Sequence, residues 1–88
     1  MSRLDKAKER LKSIPKDYTY SEARTLLSQL GFIESMKGKT SGSRVKFYRE
    51  ADGESILLHR PHPSNVMSIG NIRDLAEYLK EINELWRN

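Results

Sequence analysis

The stretch Arg44-Val45-Lys46-Phe47-Tyr48-Arg49-Glu50-Ala51-Asp52-Gly53-Glu54-Ser55-Ile56-Leu57-Leu58-His59 decides the fold. From Arg44 to Tyr48 apolar and polar residues alternate with the period of two that a half-buried strand requires. Val45 and Phe47 face the core, and Arg44, Lys46 and Tyr48 face away from it. Ala51-Asp52-Gly53 carries hairpin turn chemistry, and Glu54 to His59 returns as a second strand with Ile56 and Leu58 inward. Parity then sends Leu57 and His59 outward. The hairpin has one apolar face and one wet, cationic face.

On its N-terminal side, Phe32 to Met36 reads as a further strand and Lys37 to Ser43 as a turn-rich loop. Before these, Thr19-Tyr20-Ser21-Glu22 fits a capping box, Ala23, Leu26, Leu27 and Leu30 form one apolar helix face, and Gly31 supplies the stop. On the C-terminal side, Ser68-Ile69-Gly70-Asn71 starts a long helix whose stripe is Ile69, Ile72, Leu75, Ala76, Leu79, Ile82 and Trp86. Tyr78 and Trp86 read as packing aromatics. The order helix, strand, strand, strand, helix, with short turns between strands, predicts an α+β fold: a three-stranded antiparallel sheet with both helices on one face. The other face stays open and carries the cations.

An extra amphipathic helix precedes this unit. Leu4, Ala7, Leu11 and Ile14 recur at helical spacing behind Ser2-Arg3-Leu4-Asp5, and Pro15 closes the pattern. Its thin apolar stripe leaves three options open: it packs on the domain, meets a partner, or frays. The chain therefore divides into an N-terminal helix over residues 1–16 and a domain over residues 17–88.

Eighty-eight residues bound the chain to one domain with one modest core. The net charge of +4 matters less than its distribution. Between Glu34 and Glu50 lie five cations, Lys37, Lys39, Arg44, Lys46 and Arg49, and no carboxylate. Such a run either attracts a polyanion, with binding that weakens as salt rises, or is a solvated surface that keeps the protein soluble. The absence of cysteine excludes disulfides and thiolate metal sites. No apolar run approaches a membrane span and the N-terminus lacks a signal-peptide core, so a cytoplasmic location is expected.

The loop Gly38-Lys39-Thr40-Ser41-Gly42-Ser43-Arg44 and the cluster His59-Arg60-Pro61-His62-Pro63 flank the hairpin and contain both histidines of the chain. Backbone donors, cations and side chains that titrate near neutrality suit a nucleic-acid phosphate. Gly38-Lys39-Thr40 lacks the earlier glycine and the strand-loop-helix context of a phosphate-binding P-loop. The carboxylates Glu50, Asp52 and Glu54 crowd a turn, and no metal-ligand spacing is present, so neither a metal nor another cofactor is expected.

Taken in order, Ser21-Glu22-Ala23-Arg24-Thr25-Leu26-Leu27 with Leu30-Gly31-Phe32, the segment Lys39 to Phe47 with Gly42-Ser43, Leu58 to Pro63 containing Pro61-His62-Pro63, and Ile69-Gly70-Asn71-Ile72-Arg73-Asp74-Leu75 resemble the HicA family of bacterial toxin mRNA interferases over roughly residues 19 to 82. The resemblance implies a fold like that of a double-stranded RNA-binding domain, metal-independent cleavage of mRNA, and neutralisation by an antitoxin of the HicB type. RNA binding on such a fold rests largely on backbone and sugar contacts.

One position departs from the family pattern. The motif places a catalytic histidine directly after the Gly-Ser pair, where this chain has Gly42-Ser43-Arg44. A guanidinium stays protonated and offers only donors, so Arg44 binds phosphate or stabilises a transition state but accepts no ribose proton. His59 is then the candidate for a relocated acid or base, because parity puts it on the face of Arg44 and Lys46. His62, which matches the Pro-His-Pro element, is the second candidate. Lys37, Lys39, Ser43, Arg44, Lys46 and Arg60 are the candidate RNA contacts.

Each assignment has a plainer rival. His62 between two prolines shapes the turn, His59 is a partly exposed packing residue, and Arg44 pairs across the strands with an acid such as Glu54. Three functions stay open: an RNA-cleaving toxin, an RNA-binding module that has lost its base, and a protein-interaction domain that presents the N-terminal helix or a sheet edge to an acidic partner.

Overall fold

A computed structural model describes residues 2–35, 44–61 and 64–85. In it the hairpin forms as its alternation requires, with strand β2 (Arg44–Arg49) antiparallel to β3 (Glu54–His59) and a register running from Arg44 opposite His59 to Arg49 opposite Glu54. A short strand β1 (Ile33–Glu34) adds to the free side of β2, giving the order β1-β2-β3. The expected first strand over Phe32 to Met36 is thus shortened to two residues. Phe32 is buried ahead of it and Met36 lies outside the described residues.

Three helices complete the fold: α1 (Arg3–Lys12), α2 (Tyr20–Gln29) and α3 (Ile69–Glu81). Phe47 and Leu58 from the inward sheet face join Leu26 and Leu27 of α2 and Ile72, Leu75 and Leu79 of α3 in one buried cluster. Burying a side chain of this size contributes about 1.5–3 kcal/mol, which makes this layer the main source of stability. The α+β architecture, with the opposite sheet face left open, agrees with a fold like that of a double-stranded RNA-binding domain preceded by an additional helix.

Sequence signals at the ends of α2 are met in detail. Thr19 Oγ1 accepts from the Glu22 amide at 3.1 Å and Glu22 Oε1 accepts from the Thr19 amide at 3.0 Å, a reciprocal capping box. At the other end Gly31 has φ +95°, the Phe32 amide donates to the Leu27 carbonyl at 2.9 Å and the Gly31 amide to Ser28 at 3.1 Å. This is a Schellman stop, which needs a left-handed residue. A Cβ on Gly31 would also lie 3.3 Å from Arg49 Cδ. Gly31→Ala is expected to lower the unfolding free energy by roughly 1–2 kcal/mol, read as a lower urea midpoint with an unchanged slope.

Helix α1 packs on the domain. Leu11 is fully buried in the common cluster, with Leu4, Ala7 and Ile14 against it. Arg10 binds Glu22 through its Nε and Nη2 and reaches Asp17 at 3.1 Å, so the carboxylate that caps α2 also holds α1. The Arg10 hydrogen bond, reinforced by the Thr19 amide, holds the Glu22 carboxyl below its ordinary value of 4.5. Because the folded value is depressed, this contribution is present above about pH 4.5 and is lost as pH falls through the folded value. Urea midpoints at pH 7 and pH 3 are expected to differ less for Glu22→Gln than for wild type.

Helix α3 stops earlier than its apolar spacing predicts. Asn83 adopts φ 62°, its amide donates to Lys80 at 3.1 Å, and the Glu84 amide donates to Leu79 at 2.8 Å. Asparagine tolerates the left-handed region, so a second Schellman stop forms and Leu85 turns back into the core. Trp86 lies outside the described residues. Ile69, expected in the buried stripe, is 38% exposed at the helix start, and Tyr78 is partly buried with its ring 6.3 Å from that of Phe32.

Candidate functional site

The open sheet face is built by parity. Arg44, Lys46, Leu57 and His59 are exposed on it, with Arg44 directly opposite His59 and Lys46 directly opposite Leu57. Opposed residues on antiparallel strands have Cα atoms roughly 4.5–5.5 Å apart, so a guanidinium and an imidazole project side by side from the end of the hairpin. Ile33 and Tyr48, paired across β1 and β2, extend the same face. Ile33 is 48% exposed and Leu57 50%, so apolar surface lies among the cations.

The register settles one alternative for Arg44. Glu54 stands opposite Arg49 at the far end of the hairpin, five residue pairs from the Arg44–His59 pair and hence about 17 Å away. A cross-strand ion pair between Arg44 and Glu54 is therefore excluded. Glu54 instead accepts a hydrogen bond from the Tyr78 hydroxyl at 2.7 Å. Burial first, and this bond second, push the Tyr78 phenol above its ordinary value.

Arg49 also departs from the reading of the cationic run. Parity puts it on the helix side of the sheet, where Nη1 donates to the Leu30 carbonyl at 2.9 Å and to Glu84 at 2.7 Å, while Nη2 meets Asp52 at 2.6 Å. Its guanidinium carbon lies 4.8 Å from the centre of the Phe32 ring. Arg49 ties the hairpin turn to the ends of α2 and α3, and its charge is matched locally rather than lent to the open face. An inward position in the alternation was the available signal.

Arg60, next to His59 in the chain, has partners of its own. Its guanidinium is 3.7 Å from Glu34 and 5.4 Å from the centre of the Tyr20 ring. Glu34 shares the face of Phe47, accepts from the Tyr20 hydroxyl at 3.0 Å and lies 3.7 Å from Arg24. Burial, then the bond to Glu34, raises the Tyr20 phenol to about 12. Lys37, Lys39, Ser43 and His62 lie outside the described residues, so the structure brings together Arg44, Lys46 and His59 of the candidates.

After His59 the chain returns to the start of α2. The Tyr20 amide donates to Asn65 and the Met67 amide donates to Tyr18, both at 2.8 Å, and Met67 is buried. This clasp sets the N-terminal half of α3 beside β3. Between the two lies a groove of about 340 Å³ lined by Arg44, Ile56, Leu57, Leu58, His59, Asn71, Asp74 and Tyr78. The helix side of this groove was not foreseen, because it is made by residues that sit apart from the cationic run in sequence.

The family model described as the HicA toxin of bacterial toxin-antitoxin matches residues 20–83. The chain belongs to the HicA family. No curated protein and no solved structure gives a significant match. The matched residues take in α2, the whole sheet and α3, so both walls of the groove belong to the HicA unit, whereas α1 precedes it. This HicA chain carries a guanidinium, not an imidazole, after its Gly-Ser pair, and the imidazole of His59 stands opposite that guanidinium on the next strand. Among the described residues no helix is long and apolar enough to cross a membrane.

Proposed function

We propose that this HicA protein is a cytoplasmic, metal-independent endoribonuclease that cuts mRNA and is neutralised by an antitoxin of the HicB type. The observation that supports this reading most is the pairing of Arg44 with His59 on the open, cationic sheet face. RNA self-cleavage needs a base that takes the 2′-OH proton as that oxygen attacks phosphorus. It also needs a cation for the charge on the phosphorane, and an acid that protonates the departing 5′-oxygen. His59 takes one proton role, His62 is the candidate for the other, and Arg44 donates to the non-bridging phosphate oxygens. The cations Lys37, Lys39 and Lys46, with Ser43, hold the neighbouring backbone.

Induced expression in a bacterial host tests the reading. Wild type is expected to arrest growth and deplete mRNA, with relief by Arg44→Ala, His59→Ala or His62→Ala. Undiminished growth with soluble wild-type protein present would contradict it.

Arg44 in the motif position favours a second reading, an RNA-binding module without turnover. It predicts salt-sensitive RNA binding with no product, and Lys46→Ala is expected to lower the slope of log affinity against log salt by about 1. Binding that ignores salt would sink both readings.

A further inference from the structure

We propose that the groove between β3 and α3 is a nucleobase pocket in which Asp74 selects guanine in the nucleotide next to the phosphate held by Arg44 and His59. The proposal rests on the RNA-binding reading above and adds a specificity to it. Asn71, Asp74 and Tyr78 follow one another at helical spacing along one side of α3 and line the same groove as Arg44 and His59. A volume of about 340 Å³ is at the small end for ligand pockets and suits part of a nucleotide. β3 is an outer strand, so the groove opens directly onto the uncovered sheet face.

The chemistry of the walls separates a base from a phosphate. Arg44 serves the phosphate, but the Asp74 carboxylate in the same groove repels phosphate oxygens, so it is a poor element for reading the backbone alone. A carboxylate accepts hydrogen bonds only, and the Watson–Crick edge of guanine is the base edge that presents two adjacent donors, N1–H and the exocyclic amine. The Asn71 side-chain Nδ2 supplies a donor for the neighbouring O6. Leu57, half exposed at the groove, offers the base an apolar surface. The Tyr78 hydroxyl is committed to Glu54, which leaves its ring as the contribution to the wall. Such an edge is readable only in an unpaired nucleotide, so the pocket takes single-stranded RNA.

The test is the affinity of the full chain for uridine pentanucleotides with G, A, C or U at the centre. Their 2′-fluoro sugars cannot supply an attacking hydroxyl, so binding is read without cleavage. Wild type is expected to favour the guanine oligomer by about tenfold, the discrimination typical of one bidentate contact. Asp74→Asn is expected to bring that oligomer within about twofold of the others without weakening them, since a lost readout is confined to one base. Equal wild-type affinity for all four oligomers would overturn the pocket while leaving RNA binding intact. So would an Asp74→Asn variant that tightens all four alike, the mark of a purely electrostatic carboxylate. No binding of any oligomer would overturn the pocket and the RNA reading together.

Discussion

His59→Ala is expected to slow RNA cleavage by about 10²–10⁴-fold, the usual contribution of a positioned proton-transfer group, while changing RNA affinity by less than about threefold. His59 is the one histidine among the described residues and stands opposite Arg44, whose guanidinium offers hydrogen-bond donors only. A residue that only packed at the strand end would lower stability and leave the rate of folded enzyme unchanged. Arg44→Ala is expected to cost about 10²–10³-fold, and Arg44→Lys to recover only part of the loss because an ammonium does not reproduce the planar fork. Single-turnover rates at saturating enzyme separate these effects from binding.

Arg49→Ala is expected to act on the fold instead, lowering the unfolding free energy by about 2–3 kcal/mol. That is below the usual cost of breaking a fully buried pair because Asp52 is 43% exposed. The substitution removes the donor to the Leu30 carbonyl and strands Glu84, whose carboxylate is mostly covered. A domain of this size has only roughly 4–13 kcal/mol in total, so the thermal midpoint should fall by on the order of 10–20 °C. RNA affinity of the folded variant should stay within about twofold of wild type, whereas Lys46→Ala should weaken binding and leave the midpoint alone. An unchanged midpoint together with lost RNA affinity would return Arg49 to the cationic surface.

The two arginines show what the amino-acid sequence disclosed and what it hid. Strand parity alone gave the outward set Arg44, Lys46, Leu57 and His59, because a period of two fixes faces without tertiary information. The capping box at Thr19 and the stop at Gly31 were legible for the same reason: each is a local device spanning a few residues. Alternation put Arg49 inward, but its partner was not legible, since Glu84 is 35 residues away and reaches it only because α3 ends at a left-handed Asn83. The apolar spacing up to Trp86 pointed to a longer helix, and asparagine as a stop is a weaker signal than glycine. The docking of α1 depended on Arg10 sharing the capping carboxylate Glu22, another pairing that spacing cannot announce. The helix wall of the groove was hidden because Asn71 and Asp74 look like ordinary exposed positions on an amphipathic helix until β3 is laid beside them.

The central claim is that Arg44 and His59 act together on one phosphate. A double-mutant cycle on cleavage of a single-stranded RNA in excess chelator, read as the appearance of 2′,3′-cyclic phosphate ends, tests it most directly. Groups that serve one transition state are strongly non-additive. The predicted result is therefore that wild type forms these ends without added metal, and that Arg44→Ala with His59→Ala is hardly slower than His59→Ala alone. RNA left intact by folded wild type, or two losses that simply multiply, would contradict the account.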